Sequence, residues 1–237
     1  MELSKRLQGV VDMVTPGWAV ADIGCDHAYI SIYLIKNKIA TKVIAMDVNL
    51  GPLNIAKKNI AESGYGHKIE VRQSDGLKSL AKKEVETIVI AGMGGALICR
   101  ILKEGIEQVM AVKELILQAQ SDLPMVRKLL QDINYQIIEE KMLIDDKKYY
   151  LVIKARNAKN ELTRDHKEDK EVYYAYGKYL LEKQDHVLHQ YLKWRKKVTS
   201  QIIDKLKKEE TANTRKRLIQ MKEELELIEM GLEYYRN

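Results

Sequence analysis

The sequence has few cysteines and no long apolar run. Cys25 and Cys99 are the two cysteines among 237 residues, and both have apolar neighbours, which argues against a disulfide framework and is typical of a reducing compartment. No stretch of about 18 uninterrupted apolar residues occurs, as a membrane-spanning helix requires. The first residues also lack the apolar stretch of a secretory signal. We therefore expect a cytoplasmic protein that is neither exported nor embedded in a membrane.

The net charge is basic, with 40 Lys and Arg against 34 Asp and Glu, and a formal charge of +6. A basic protein suits a polyanionic partner, but many cytoplasmic proteins of similar charge bind no nucleic acid. Because the excess is spread along the chain rather than confined to a tail, charge alone leaves the partner open.

Between Trp18 and about Arg156, short β-branched apolar runs alternate with amphipathic stretches. This alternation predicts a parallel sheet that is covered by helices. The predicted strands are the runs WAVADIG, TKVIAMD, KIEVRQ, ETIVIAG and KELILQA. The predicted helices are His27–Lys38, Pro52–Ser63, Gly94–Glu104 and Leu123–Asp132.

The segment NYQIIEEKMLIDDKKYYLVIKAR follows these units. It predicts two further strands, joined at the acidic turn Asp145–Asp146. We therefore predict an α/β fold with a Rossmann-like, seven-stranded, mostly parallel sheet. By analogy of fold, the closing hairpin favours methyltransferases over dinucleotide dehydrogenases, which usually continue with further βα units.

From about Glu161 the composition changes, because proline disappears and Lys, Glu, Leu and Tyr dominate. We predict a methyltransferase-like domain over residues 1–159 and a helical coiled-coil domain over residues 160–237, with a break near Glu209–Thr214. Two apolar stripes of alternating three- and four-residue spacing support the helical hairpin. They are Val187, Tyr191, Trp194 and Val198, and then Leu218, Met221, Leu225, Ile228, Leu232 and Tyr235. Packing within this seam is the expected role of Trp194, although so short a seam can also contact another molecule.

Acidic residues and glycines follow four of the predicted strands, at the edge where α/β sheets bind ligands. The four groups are Asp22-Ile23-Gly24-Cys25-Asp26-His27, then Asp47, then Ser74-Asp75-Gly76, and finally Ala91-Gly92-Met93-Gly94-Gly95.

The chemistry of these groups favours a cationic nucleoside ligand. The first group reads D-x-G rather than G-x-G-x-x-G, and its carboxylates would repel a pyrophosphate. They would attract the ammonium and sulfonium of S-adenosylmethionine. Asp47 has the spacing to accept ribose hydroxyls, and Asp75 can accept the adenine amino group while Gly76 leaves room for the ring. The four groups together predict S-adenosylmethionine as the cofactor.

Each of these positions also has a purely structural interpretation. An aspartate at a strand end is often a cap or turn residue, and Asp26 can cap the helix predicted to begin at His27. The glycines of AGMGG can serve a tight strand-to-helix connection, or they can open a slot for a flat base.

The stretches DIGCDHAYISIYL, VRQSDGL and above all IAGMGGALI, together with Asp47, resemble the bacterial tRNA adenine-22 N1-methyltransferase family. The similarity covers about Leu3 to Lys154 and includes LSKRL near the start and the ILQ run that ends at Gln118. Family members often have a proline where this chain has Ala119 and a glutamate where it has Asp47. The resemblance implies a Rossmann-like fold, S-adenosylmethionine as the cofactor and 1-methyladenosine in tRNA as the product.

The resemblance also implies roles for individual residues. Those expected to contact the cofactor are Asp22, Gly24, His27, Asp47, Val48, Asp75, Gly76, Ala91, Gly92 and Met93. Those expected to contact the substrate are Met93, Gly94, Gly95 and Gln118. The loop that begins at Ala91 replaces the Asn-Pro-Pro-Tyr loop of many amino-directed methyltransferases.

Catalysis at adenine N1 needs little acid or base chemistry, because this nitrogen carries a lone pair at neutral pH. Positioning can therefore supply much of the rate. Asp26 is the candidate to stabilise the developing positive charge. Tyr29 is the second candidate, as a wall of the pocket for an extruded base.

The C-terminal segment is predicted to bind tRNA phosphates through Lys193, Arg195, Lys196 and Lys197, and its alternative interpretation is a solvated helix face. We expect tRNA as the partner, no metal, and a monomer, with oligomerisation left open. The competing function is a non-catalytic scaffold or sensor that binds S-adenosylmethionine and recruits a partner through the coiled coil. A small-molecule or protein methyltransferase is a third possibility.

Overall fold

The computed structural model describes residues 2–158, 170–208 and 211–236. The chain forms two compact units, one up to Leu162 and one from Thr163. The predicted domain boundary at residues 159 and 160 lies outside the described residues.

The first unit is built on one sheet, in which the described residues form seven strands in the order β3-β2-β1-β4-β5-β7-β6. Strands β1 to β5 run parallel, whereas β7 is antiparallel to both β5 and β6. The strands are β1 (Trp18–Ile23), β2 (Ala40–Asp47), β3 (Ile69–Gln73), β4 (Thr87–Met93), β5 (Glu114–Ala119), β6 (Tyr135–Asp145) and β7 (Lys148–Asn157). The predicted Rossmann-like fold, with its closing hairpin, is confirmed.

The central strands are buried on both faces, which explains why apolar residues predominate in them rather than alternating with polar ones. Every residue of β5 is buried, and so are the first four residues of β4. The helices that cover the sheet are α1 (Lys5–Val11), α2 (Tyr29–Lys36), α3 (Leu50–Ser63), α4 (Gly95–Glu104), α5 (Ile106–Val109) and α6 (Leu123–Asp132).

Helix α2 begins two residues later than predicted, at Tyr29 rather than His27. The two residues on either side of His27 adopt left-handed backbone conformations, with φ of +49° at Asp26 and +59° at Ala28. Ala28 is the N-cap residue, and no side chain caps the helix. The structural interpretation of Asp26 as a helix cap is therefore wrong.

Helix α1 packs against the terminal hairpin and thereby brings the N-terminal segment to the sheet. The Ser4 side chain caps this helix by accepting a hydrogen bond from the Leu7 amide. At Gly9 the approach is close, because a Cβ there would lie only 2.4 Å from Cδ2 of Leu143. The Arg6 amide donates to Asp145 Oδ2 at 3.0 Å, which fixes the helix at the end of β6.

The second unit contains α7 (Glu171–Tyr176), α8 (Lys178–Glu182), α9 (His186–Leu206) and α10 (Ala212–Glu233). Helices α9 and α10 lie antiparallel, since Gln184 Nε2 donates to the Tyr234 carbonyl and the Tyr235 hydroxyl donates to the Asp185 carbonyl. No helix of the described residues is both long enough and apolar enough to cross a membrane.

The buried stripe of α9 differs from the predicted one. It consists of Val187, Leu188, Leu192, Thr199 and Ile203. The assignment of Trp194 to the seam is wrong, because that side chain is 47% exposed. The spacing of apolar residues predicted the wrong face of α9. The face that packs inward includes polar Thr199 and half-buried Arg195, whereas large apolar side chains lie on the neighbouring face.

Candidate active site

A cavity of about 460 Å³ opens at the carboxyl ends of β1, β2 and β4 and at the loop that follows β3. This is the edge at which parallel sheets bind ligands. Twelve residues that the sequence predicted for the cofactor or for catalysis line it. They are Asp22, Gly24, Asp26, His27, Tyr29, Asp47, Val48, Asp75, Gly76, Ala91, Gly92 and Met93.

Asp22 is the buried carboxylate of this cavity, with 2% of its surface exposed. The Ser31 hydroxyl, on the first turn of α2, donates to Asp22 Oδ2 at 2.7 Å. Burial raises the pKa of Asp22 to about 6, although the hydrogen bonds from Ser31 oppose the shift and nearby Asp47 adds to it. The free protein therefore carries a carboxylate whose charge is poorly solvated, as a site for a cation requires.

Asp47 is held at the end of β2 by backbone amides. Its Oδ1 accepts from the Asn49 amide at 3.0 Å, and its Oδ2 accepts from the Asp26 amide at 3.3 Å. The loop after β1 is held to β2 as well, because the Gly24 and Cys25 amides both donate to the Met46 carbonyl. These contacts fix the relative position of the first two predicted groups.

Gly24 requires the absence of a side chain. Its φ is +70°, and a Cβ at this position would lie 2.1 Å from Cε of Met93. The backbone of the loop after β1 therefore contacts the Met93 side chain at the end of β4 directly, and both residues line the cavity.

Exposed Asp26 and half-buried His27 form a pair at the cavity. His27 Nε2 lies 3.5 Å from Asp26 Oδ1, and the Asp26 side chain is 70% exposed. The rings of His27 and Tyr29 make an edge contact, with centroids 5.7 Å apart. Since Tyr29 is itself 42% exposed, the three side chains form an accessible rim of the cavity.

Asp75 and Gly76 line the opposite part of the cavity, after β3. Lys78 pairs with Asp75 Oδ2, and its hydrogen bond holds the pKa of the Asp75 carboxyl below its usual range. A Cβ at Gly76 would lie 3.2 Å from the Ile101 side chain. The glycine thus leaves room between this loop and α4.

The AGMGG loop divides into two parts with different surroundings. Ala91, Gly92 and Met93 line the cavity, whereas Gly94 and Gly95 do not. A Cβ at Gly95 would lie 2.4 Å from the Ser121 carbonyl oxygen, which accepts a hydrogen bond from the Gly95 amide at 3.1 Å. Gly95 is buried and packs α4 against the loop after β5, and its predicted contact with the substrate stays a prediction.

Gln118 does not line the cavity either, because it is fully buried at the end of β5. Its Oε1 accepts from the Gly92 amide at 3.1 Å and from Arg6 Nη1 at 3.0 Å. The predicted contact of Gln118 with the substrate stays a prediction, and the contacts that the structure shows for this side chain are with the protein itself. Through these hydrogen bonds Gln118 fixes Gly92 and Arg6, both of which line the cavity.

The sequence did not predict several residues that line the cavity, and Arg6 is the most notable of these. The others are Leu7, Ile23, Cys25, Ile30, Asn49, Ser74, Leu97, Arg100, Ile101 and Gln120. Arg6 lies on α1, before the first strand, so no strand-end pattern marks it. The resemblance of LSKRL to the family was the only signal for it.

The four predicted phosphate contacts belong to the second unit and lie on α9. Arg195 pairs with Glu224 of α10, and Lys196 Nζ lies 2.8 Å from Glu229 Oε1. Lys193 and Lys197 are exposed. Within the described residues, no group of three or more His, Cys, Asp or Glu is placed to hold a metal ion.

The chain matches known proteins over most of its length. The family model described as tRNA (adenine(22)-N(1))-methyltransferase matches residues 20–230. The Bacillus subtilis (strain 168) protein of that name is 41% identical over 155 residues, which are 65% of this chain and 65% of that protein. The chain thus spans somewhat less than two thirds of this relative in the sequence match.

Solved structures match more completely. The B. subtilis m1A22 tRNA methyltransferase has a TM-score of 0.84 and 31% identity, covering 98% of this chain and 99% of that one. The Streptococcus pneumoniae protein Sp1610, solved in complex with S-adenosyl-L-methionine, has a TM-score of 0.81 and 31% identity, covering 98% of this chain and 100% of that one.

The raised pKa of Asp22 predicts a pH-dependent stability. Since the pKa is higher in the folded protein than the ordinary 3.8, the Asp22 contribution to stability is present below about pH 4 and is lost as the pH rises through about 6. Asp22→Asn should therefore be more stable than the wild type at about pH 7.5, by roughly 3 kcal/mol, and the difference should vanish near pH 4. Urea unfolding of both ligand-free proteins across this range measures it.

Ser31→Ala is the matched variant, because it removes the hydroxyl that lowers the pKa of Asp22. It should move the loss of stability to higher pH. A difference between Asp22→Asn and the wild type that does not change with pH would contradict the assignment.

Proposed function

The chain belongs to the tRNA (adenine(22)-N(1))-methyltransferase family, and we propose that it transfers the methyl group of S-adenosylmethionine to N1 of adenine 22 in tRNA. The observation that carries the proposal is the convergence of Asp22, Asp26, Asp47 and Asp75 on one cavity at the carboxyl edge of the sheet. A tRNA substrate also agrees with the expected cytoplasmic location.

The residues of the cavity fit this cofactor. Four carboxylates disfavour a pyrophosphate and favour a ligand that carries an ammonium and a sulfonium. Gly24, with φ of +70°, lets the loop after β1 line the cavity in a backbone conformation that other residues rarely adopt. A volume of about 460 Å³ is within the range of small-molecule sites.

The roles follow the positions of the residues along the edge. We assign the amino acid part of the cofactor to Asp22, Gly24 and His27, with Ala91, Gly92 and Met93 beside them. We assign the ribose to Asp47 and Val48. The adenine is assigned to Asp75, which accepts its amino group, and to Gly76, which leaves room for the ring.

S-adenosylmethionine supplies an electrophilic methyl group on its sulfonium. The protein has no proton to remove from adenine N1, so its task is to hold the lone pair in line with the methyl group. Tyr29 and Met93 form walls that can hold the extruded base. Asp26, at the exposed rim, stabilises the positive charge that develops on the adenine ring.

We assign tRNA binding to the domain predicted over residues 160–237. Lys193 and Lys197 support this assignment best, because they are exposed and because no described residue forms an ion pair with either. Arg195 and Lys196 are held by Glu224 and Glu229 and thus join the two helices.

The direct test is methylation of unmodified tRNA. The purified protein, incubated with labelled S-adenosylmethionine and tRNA transcripts, should yield 1-methyladenosine after digestion to nucleosides. A transcript with guanine at position 22 should yield none. Binding of the cofactor without any methylated nucleoside would favour the scaffold function, and methylation of another substrate would overturn the choice of tRNA.

Asp26 and Asp75 should have separable effects. Asp26→Ala should lower kcat by about tenfold or more while cofactor affinity changes little, because the carboxylate acts on charge that develops in the transition state. Asp75→Ala should weaken cofactor binding, measured by calorimetry. Equal losses of kcat and cofactor affinity in Asp26→Ala would reduce Asp26 to a binding residue.

Lys193 and Lys197 should determine the salt dependence of tRNA binding. In the variant with both lysines changed to glutamine, the slope of log affinity against log salt should fall by up to about two, since each phosphate contact contributes nearly one. Lys196→Gln is the control, because Glu229 already pairs with that lysine, and it should change the slope less. Unchanged salt dependence in the double variant would show that Lys193 and Lys197 do not contact tRNA phosphates.

A further inference from the structure

Arg6 is one of two arginines in a cavity that is also lined by four aspartates. Its side chain lines the same cavity as the four aspartates, and its residue is half-buried. Among residues 2–158, 170–208 and 211–236, no carboxylate forms an ion pair with its guanidinium. Arg100, the other arginine of the cavity, differs in this respect, because its Nε lies 4.0 Å from Glu104 Oε1.

Two contacts of the side chain and one of the backbone fix the position of Arg6. Nη1 donates to Gln118 Oε1 at 3.0 Å, and the guanidinium lies over the Tyr150 ring at 5.7 Å from its centroid. The backbone amide of Arg6 is bound to Asp145. A cation that is already positioned loses less conformational entropy when it binds an anion.

The contacts of Gln118 show that the structure does not need Arg6 to satisfy a buried group. Gln118 Oε1 also accepts from the Gly92 amide, and Gln118 Nε2 donates to the Ala119 carbonyl. The buried amide therefore keeps a partner on each of its polar atoms when Arg6 is replaced. One N–H of the guanidinium is used by this contact, and an arginine has five.

We propose that Arg6 is the anion-binding residue of the active site, which takes an oxyanion of a bound ligand. This inference rests on the proposed function, which offers two such groups. One is the carboxylate of S-adenosylmethionine, for which a cation is needed among four aspartates. The other is a phosphate of the target nucleotide. The planar guanidinium suits both groups, because it donates two parallel hydrogen bonds to a carboxylate or a phosphate.

The test compares Arg6→Gln with Lys5→Gln, which makes the same change of charge one residue away on α1, outside the cavity. Calorimetry measures the affinities of S-adenosylmethionine and of decarboxylated S-adenosylmethionine. Filter binding measures tRNA affinity at several salt concentrations. Thermal unfolding of each variant verifies that the fold is kept. Arg6→Lys tests whether a positive charge without the planar guanidinium restores part of the binding.

Three results are distinguishable. If Arg6 binds the carboxylate, the wild type and Lys5→Gln prefer the intact cofactor over the decarboxylated one by about tenfold or more, and Arg6→Gln loses this preference. If it binds a phosphate, Arg6→Gln keeps the preference but loses about tenfold in tRNA affinity, and its salt slope falls by about one. If Arg6→Gln matches Lys5→Gln in both measurements, the proposal is overturned while the proposed function stands.

A wild type that binds no S-adenosylmethionine would instead overturn the proposed function, and this proposal with it.

Discussion

The concentration of negative charge at one edge of the sheet is the constraint on which the rest of the site depends. Parallel strands bring their carboxyl ends together, and here three consecutive strands of the spatial order lead to Asp22, Asp47 and Asp75. In a partly desolvated cavity such charges repel one another strongly. The fold offsets the repulsion with donors, namely the Ser31 hydroxyl for Asp22 and backbone amides for Asp47. A cationic ligand completes this compensation.

The sheet and the strand-end groups were predictable from the sequence, because their signals are local. A strand buried on both faces is mostly apolar, and the small and acidic residues of this site follow directly after such strands. The start of α2 was not predictable in this way, since the left-handed conformations of Asp26 and Ala28 depend on the contacts between β1 and β2. Arg6 was missed because it reaches the cavity through the packing of α1 on the hairpin.

The second unit shows the limit of periodicity in a charged helix. Arg195 is half-buried on α9 because Glu224 of α10 receives its charge, and a pattern of apolar residues cannot reveal such a pair. The basic residues of this helix also differ in whether a carboxylate of α10 pairs with them. Arg195 and Lys196 form ion pairs that join the two helices. Lys193 and Lys197 are exposed to solvent.

Gln118 joins segments that are far apart in sequence, since its one carbonyl oxygen receives the Gly92 amide and Arg6 Nη1. A Cβ at Gly92 would lie 3.3 Å from that same Arg6 nitrogen. The glycine, the buried amide and the arginine are thus neighbours, and a side chain at position 92 would crowd the Arg6 guanidinium. Position 92 therefore has two physical reasons to be glycine, namely its φ of +82° and the nearness of the Arg6 guanidinium.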